Sequence, residues 1–242
     1  MDKMISLIKK KVWSIYYNDY INDDVPVYKT RKSKAVAVYK KYKAILKGDV
    51  LDVGADQLYL KKYLPVGVNY TGIGLGNHRD LVKVDLEKSK IPYKDNSFDC
   101  VLCLDVLEHV DNIHEVFDEL CRVSRKWIII SLPNPWAELV GTIRSKKYSK
   151  KKYMKFYGLP VEREEDRHKW FFSSTEAQNF IKYRSNKNKF KINELLVTND
   201  VSRFAPIQSF RIKLAKVLLF RKDLDLNDLY SNTLWWILEK KS

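Results

Sequence analysis

Phe98-Asp-Cys-Val-Leu-Cys-Leu-Asp105 decides the fold. A short apolar run that ends on an acid, with no polar alternation, is the pattern of a strand buried on both faces of a parallel sheet. Working outward, Asp49-Val-Leu-Asp-Val-Gly54, Asn69-Tyr-Thr-Gly-Ile-Gly74 and Leu81-Val-Lys-Val-Asp85 repeat the pattern upstream. Lys126-Trp-Ile-Ile-Ile-Ser-Leu132 follows downstream and is stopped by Pro133-Asn-Pro135. Between them, Asn112 and Glu115 have the spacing of a capping box, and Ile113, Val116, Phe117 and Leu120 mark one buried helical face. Strands alternating with helices predict a parallel sheet covered on both sides. Right-handed crossovers make it a doubly wound, Rossmann-like α/β fold.

The flanks extend this plan. Residues 1–47 read as amphipathic helices: Ile5, Ile8, Val12 and Ile15, then Ala35, Val38, Tyr42, Ile45 and Leu46, recur at helical spacing. Gly48 is the expected stop. We expect residues 1–47 to form a helical lid and 48–242 the main domain, with an inserted segment at about 136–172. Ser173 to Tyr183 predicts a helix, Phe190 to Thr198 a strand, and Asn232-Thr-Leu-Trp-Trp-Ile-Leu-Glu239 a strand buried in the sheet.

The 242 residues, 45% hydrophobic and 31% charged, suit one domain with a real core. Three cysteines (Cys100, Cys103, Cys121) are too few for a disulfide framework and read as reduced core thiols. No apolar run approaches the roughly 18 residues of a membrane span, and the first residues lack a signal-peptide pattern, so a cytoplasmic location is expected. The net charge of +15 raises nucleic acid, anionic lipid and phosphorylated small molecules as partners. Only 11 of 45 basic residues are arginine, which reads as a lysine-rich composition more than as phosphate clamping.

In open α/β sheets ligands bind beyond the carboxyl ends of the strands. The informative residues are therefore Asp52, Gly54, Ala55 and Asp56 at the first strand, Gly72 and Gly74 at the second, and Asp85 and Leu86 at the third. Asp105 and Val106 end the fourth. Gly54 lets backbone approach a ligand. A carboxylate at Asp85 suits an adenine amino group, and Asp105 stands where a ligand ammonium or substrate hydroxyl would sit.

The run Ile91-Pro-Tyr-Lys-Asp-Asn-Ser-Phe-Asp-Cys-Val-Leu-Cys-Leu-Asp-Val-Leu-Glu-His-Val-Asp111 resembles the middle of class I S-adenosylmethionine-dependent methyltransferases. More narrowly, it is similar to the small-molecule branch that includes the ubiquinone and menaquinone enzymes. Asp49 to Gly54 matches the family's first motif and Asp85-Leu86 its third; the match spans roughly residues 48–135. The resemblance implies S-adenosylmethionine as cofactor and a seven-stranded sheet whose last strand is antiparallel. It places Asp52, Gly54, Ala55, Asp56, Gly72, Gly74, Asp85, Leu86, Asp105 and Val106 around the cofactor. Three positions depart from the pattern. Asp56 and Leu58 stand where the family's first loop has its second and third glycines, and Gly74 stands where an acid usually holds the ribose hydroxyls. Asp56, Gln57 and Asn77 are candidate replacements.

Tyr157-Gly-Leu-Pro160, Glu165 to Ser173, and Leu229-Tyr-Ser-Asn-Thr-Leu-Trp-Trp236 resemble methyltransferases associated with surface-polysaccharide synthesis. That implies a small-molecule acceptor, anionic or sugar-linked, methylated on a hydroxyl. A hydroxyl nucleophile needs a base with a pKa near the working pH, and histidine is the usual choice. His109, just after the fourth strand, and His168, in the insertion, are the two candidates; the residues do not choose between them, and a structural role fits either. His78 and His114 read as surface residues. Lys146 to Tyr157, rich in lysine and tyrosine, permits an RNA or DNA methyltransferase. The amphipathic Phe210 to Phe220 permits peripheral membrane contact. The altered motifs permit a non-catalytic fold. No Cys/His set has metal-ligand spacing, so no metal is expected. A phosphate-binding GxxxxGK[ST] loop and a dehydrogenase fingerprint are both missing.

Overall fold

The computed structural model describes residues 28, 30–144, 162, 167–199 and 231–241. The expected helix through Ile5 to Ile15, the basic stripe at 146–157 and the amphipathic segment at 210–220 lie outside these residues.

One mixed sheet of seven strands organises the chain: β1 (Asp49–Val53), β2 (Asn69–Gly74), β3 (Val82–Lys83), β4 (Phe98–Leu104), β5 (Ser124–Pro133), β6 (Phe190–Asn199) and β7 (Ser231–Lys240). Their spatial order is β3-β2-β1-β4-β5-β7-β6. The first five pair in parallel. β7 runs antiparallel between β5 and β6, setting Trp236 beside Ile130 and Leu195. This is the doubly wound plan that the sequence predicts, with the antiparallel last strand that the family resemblance implies.

Each face carries its own helices. On one, α2 (Ile113–Val123) and α4 (Ser174–Lys187) press Phe117, Leu120 and Ile181 against Val101, Ile128, Ile130 and Trp236. On the other, α1 (Arg31–Tyr42) lays Ala35, Val38 and Tyr42 on Val50, Cys100, Leu102, Ile129 and Trp235. Trp235 and Trp236 thus enter opposite layers, as the period-two alternation of a strand requires. Phe117 is fully buried, and truncation to alanine costs about 3–5 kcal/mol at such positions. All three cysteines are free and buried, and burial pushes the Cys100 and Cys121 thiols far above their usual range.

Three local expectations are corrected. α1 ends at Tyr42 rather than at Gly48. Gly48 (φ +66°) instead turns the chain into β1 so closely against β4 that a Cβ there would sit 2.2 Å from Asp99 Oδ2. Asn112 caps α2 by position without a side-chain capping bond; its Nδ2 donates to the Leu86 carbonyl at 2.9 Å, tying α2 to the segment after β3. The third strand keeps only Val82 and Lys83, both exposed at the sheet edge. Capping boxes stand instead on α1, between Thr30 and Ser33, and on α4, between Ser173 and Glu176. Among the described residues no helix is long and apolar enough to cross a membrane. Beyond β5 comes α3 (Pro135–Arg144).

Candidate active site

Strand order reverses between β1 and β4, and a cavity of about 820 Å³ opens above their carboxyl ends. Asp52, Gly54, Ala55, Asp56, Gly74, Asp85, Leu86, Asp105, Val106, His109 and His168 all line it. Gly72 does not. It lies under the first loop, where a Cβ would meet Leu58 Cδ2 at 2.3 Å and Ala55 Cβ at 3.1 Å.

The loop after β1 is fastened to β2 by its own amides: Gly54 and Ala55 N–H both donate to the Ile73 carbonyl, at 2.8 and 3.0 Å. Gly54 has φ +75°, and a Cβ there would lie 2.2 Å from Val106 Cγ2. No larger residue fits between loop and post-β4 turn without displacement. Leu58, standing where the resemblance has a glycine, adopts the left-handed conformation itself (φ +50°). That costs roughly 1–2 kcal/mol for an L-residue. Burial of its side chain against Ala55 and Leu81 offsets the strain. Asp56, the other substituted position, accepts from Arg31 Nη1 at 2.6 Å. It also reaches across to the end of β2: a Cβ on Gly76 would lie 2.8 Å from Asp56 Oδ1. A carboxylate therefore stands beside the strand end that lacks its own acid.

Asp52 points toward the cavity from within β1 and accepts from the Tyr70 hydroxyl at 2.5 Å. Burial pushes its carboxyl up to about 6, although the Tyr70 bond and the Lys34 charge pull the other way. Asp85 is held below the usual carboxylate range, first by a hydrogen bond from Lys88 and then by the Glu87 amide. It stays ionised at the cavity rim.

Asp105 follows β4 with φ +56°, its amide bonded to the Ser131 carbonyl at 3.0 Å. Its two oxygens take Ser131 Oγ at 2.6 Å and Lys34 Nζ at 2.5 Å. Lys34 Nζ also donates to Ser131 Oγ at 3.0 Å and stands 4.9 Å from the Trp235 ring and 5.5 Å from that of Tyr28. The ammonium that meets Asp105 thus comes from α1 of the same chain. Sequence reading missed Lys34 and Ser131. The one available signal was that Lys34 shares the inward stripe of Ala35, Val38 and Tyr42, where a lysine is out of place.

The two candidate bases are brought together. The turn Leu107–His109 holds the fully buried Glu108. His109 Nε2 is 3.8 Å and His168 Nε2 4.0 Å from Glu108 Oε1, and the imidazoles meet edge to face with centroids 4.6 Å apart. Residues 167–170 are clamped onto this turn. Lys169 N–H donates to the Glu108 carbonyl at 2.8 Å and the Trp170 indole to the Val110 carbonyl at 2.7 Å. The Lys169 ammonium bridges Glu87 and Asp111. His114 lies away from the cavity, edge-on to Phe180.

A family model described as a methyltransferase domain matches residues 61–128. No curated protein matches. Among solved structures, the chain is similar to the magnesium protoporphyrin IX methyltransferase of Synechocystis PCC 6803, solved with bound S-adenosylhomocysteine. The two are 17% identical over 99% of this chain and 97% of that one, with TM-score 0.51. A candidate sarcosine dimethylglycine methyltransferase from Galdieria sulphuraria gives 13% identity, 96% coverage of each chain and TM-score 0.53. The cyclase SpnF gives 14% identity, 91% and 85% coverage and TM-score 0.53. At these identities the likeness is one of fold. That a cyclase shares it means the chemistry must be argued from the site.

Proposed function

We propose that this chain is a class I S-adenosylmethionine-dependent methyltransferase and that it methylates a hydroxyl of a small anionic or sugar-linked acceptor, such as a nucleotide-linked precursor of a surface glycan; the methyltransferase-domain match over residues 61–128 supports the first part. The observation that carries the reading is one cavity lined both by the strand-end residues Gly54, Gly74, Asp56 and Asp85 and by the Glu108–His109–His168 group.

The residues present fit the cofactor. About 820 Å³ lies within the roughly 300–1,000 Å³ common for small-molecule sites. Gly54 and Gly74 let the first loop, the end of β2 and Val106 pack closely against one another where they line the cavity. Asp85, ionised, can accept from the adenine amino group, and Asp56 can accept from the ribose hydroxyls in place of the missing strand-two acid. Gly54, Ala55, Leu86 and Val106 would wall the nucleoside, with Asp52 and Asp105 nearer the methionyl end. Bound S-adenosylmethionine supplies a sulfonium methyl as electrophile.

The chain's own part is positioning and proton handling. An acceptor hydroxyl beside the histidines would donate to His109 or His168, and a positioned base of this kind contributes about 10²–10⁴ in rate. Glu108 stabilises the imidazolium formed. Trp170, Lys169 and the Glu108 carbonyl fix where His168 stands, and orientation of this kind supplies much of the acceleration in transfer reactions. Arg31, Arg167 and Lys169 among the lining residues suit an acceptor carrying phosphate or carboxylate.

Calorimetric titration with S-adenosylmethionine and S-adenosylhomocysteine tests the first half. Saturable one-to-one binding, on the order of micromolar or −8 kcal/mol, is expected; no heat at millimolar ligand would mean a non-catalytic fold. Methyl transfer to nucleotide-linked sugars tests the second. Transfer to oligonucleotides instead, weakening steeply with salt, would move the assignment to a nucleic-acid enzyme.

A further inference from the structure

We propose that Glu108, His109 and His168 form a divalent-cation site that binds the acceptor's hydroxyl oxygen, deepening the proposed function on which it rests. One ligand atom from each residue lies within 4.8 Å of the others. Tetrahedral ligands about 2.1 Å from a shared ion stand roughly 3.4 Å apart. The Oε1–Nε2 separations of 3.8 and 4.0 Å lie within about half an ångström of that spacing, and the third pair, within 4.8 Å, closes onto an ion by side-chain rotation.

The donors span two stretches of chain, so no local spacing betrays them. Their convergence is built by backbone. The Lys169–Glu108 amide bond and the Trp170–Val110 indole bond seat the His168 segment on the 107–109 turn, and the Lys169 ammonium between Glu87 and Asp111 holds it there. The Glu108 carboxylate is fully buried and faces both imidazoles. All three residues line the cavity, so a further coordination position faces the place where an acceptor would lie. Two imidazoles and one carboxylate select a first-row transition ion or zinc over magnesium or calcium, which prefer all-oxygen sites. Three protein ligands with an open position are the catalytic rather than the structural arrangement.

An ion here acts as a Lewis acid toward the acceptor. Its charge weakens the O–H bond of the coordinated hydroxyl; the electron pair stays on oxygen and the proton passes to water. The histidines then serve as ligands, and hydroxyl activation no longer depends on a protein base.

The full-length protein, freed of metal by chelation, is titrated with Zn²⁺ and with Mn²⁺. Calorimetry reads Zn²⁺ binding and electron paramagnetic resonance reads Mn²⁺. One equivalent of tightly bound ion is expected, weakened at least 100-fold in Glu108→Gln and in His168→Asn and unchanged in His114→Gln. Circular dichroism of each variant establishes that it is folded. A thermal midpoint raised by Zn²⁺ in the parent protein, with no rise in His168→Asn, gives a second readout. Absence of stoichiometric binding, or binding indifferent to Glu108→Gln and His168→Asn, overturns the proposal. S-adenosylhomocysteine binding by the metal-free protein is measured alongside. If it persists while no ion binds, the metal site alone fails. If the ion binds and S-adenosylhomocysteine does not, the methyltransferase reading of the cavity fails.

Discussion

Lys34 and Asp105 form a 2.5 Å ion pair between α1 and the end of β4, joined by Ser131 and walled by the rings of Tyr28 and Trp235. The lysine side chain is 11% exposed and the aspartate 37%, so the pair is sheltered on one side and wet on the other. Lys34→Met keeps the stem and removes the charge, and should lower stability by about 1–2 kcal/mol. In urea unfolding, Lys34→Met and Asp105→Asn should couple by about 1 kcal/mol. Strict additivity would mean the pair does not hold α1 to the sheet.

Gly54 leaves no room for a methyl group. Gly54→Ala combines left-handed strain with overlap on Val106 and should cost about 2–4 kcal/mol. Cofactor affinity should fall as the loop shifts. Adding Val106→Ala should restore part of the stability and none of the strain. A Gly54→Ala protein as stable as its parent would contradict this packing.

The carboxylates at the cavity rim should matter unequally. Asp85→Ala and Asp56→Ala should each weaken S-adenosylhomocysteine about tenfold by calorimetry, near 1.4 kcal/mol apiece. Asp80→Ala, which removes only surface pairs with Lys61 and Arg79, should leave affinity unaltered. Equal effects at all three positions would point to bulk charge rather than to contacts.

Asp52 makes a stability signature in pH. Its carboxyl in the folded protein titrates near 6, above the roughly 3.9 of an unfolded chain. The proton it keeps contributes stability that is fully present below about pH 4 and is lost as pH rises through 6. The loss should be on the order of 1–3 kcal/mol, and Asp52→Asn, still able to accept from Tyr70, should abolish that segment of the curve. Denaturant midpoints from pH 4 to 8 measure it; identical slopes in both proteins would place the raised carboxyl elsewhere.

The sheet was legible because each buried strand is a run of apolar residues with its own stop signal, and because Trp235 and Trp236 alternate by strand geometry. The ends of elements were less so. Asn112 has the residue type for a capping bond, but its side chain is turned to donate from Nδ2 to the Leu86 carbonyl of another segment. At the site, strand-end logic located nine of the lining residues by position alone, as lining rather than in role. Gly72 failed because a glycine can serve packing instead of a ligand. Lys34 and the meeting of His109 with His168 depend on where α1 and the 167–170 segment dock, which no local pattern encodes.

The placement of β7 has a consequence for synthesis on the ribosome. β6 touches the sheet only through β7, which begins at Ser231, after β6 has ended at Asn199. Until β7 emerges, Ile129 and Ile130 form an open apolar edge on β5 and β6 has nowhere to pair. A nascent chain in that state is exposed to edge-to-edge association with its neighbours on a polysome. Slow translation of the stretch between β6 and β7 would lengthen that hazard, and a chaperone that shields the β5 edge would shorten it.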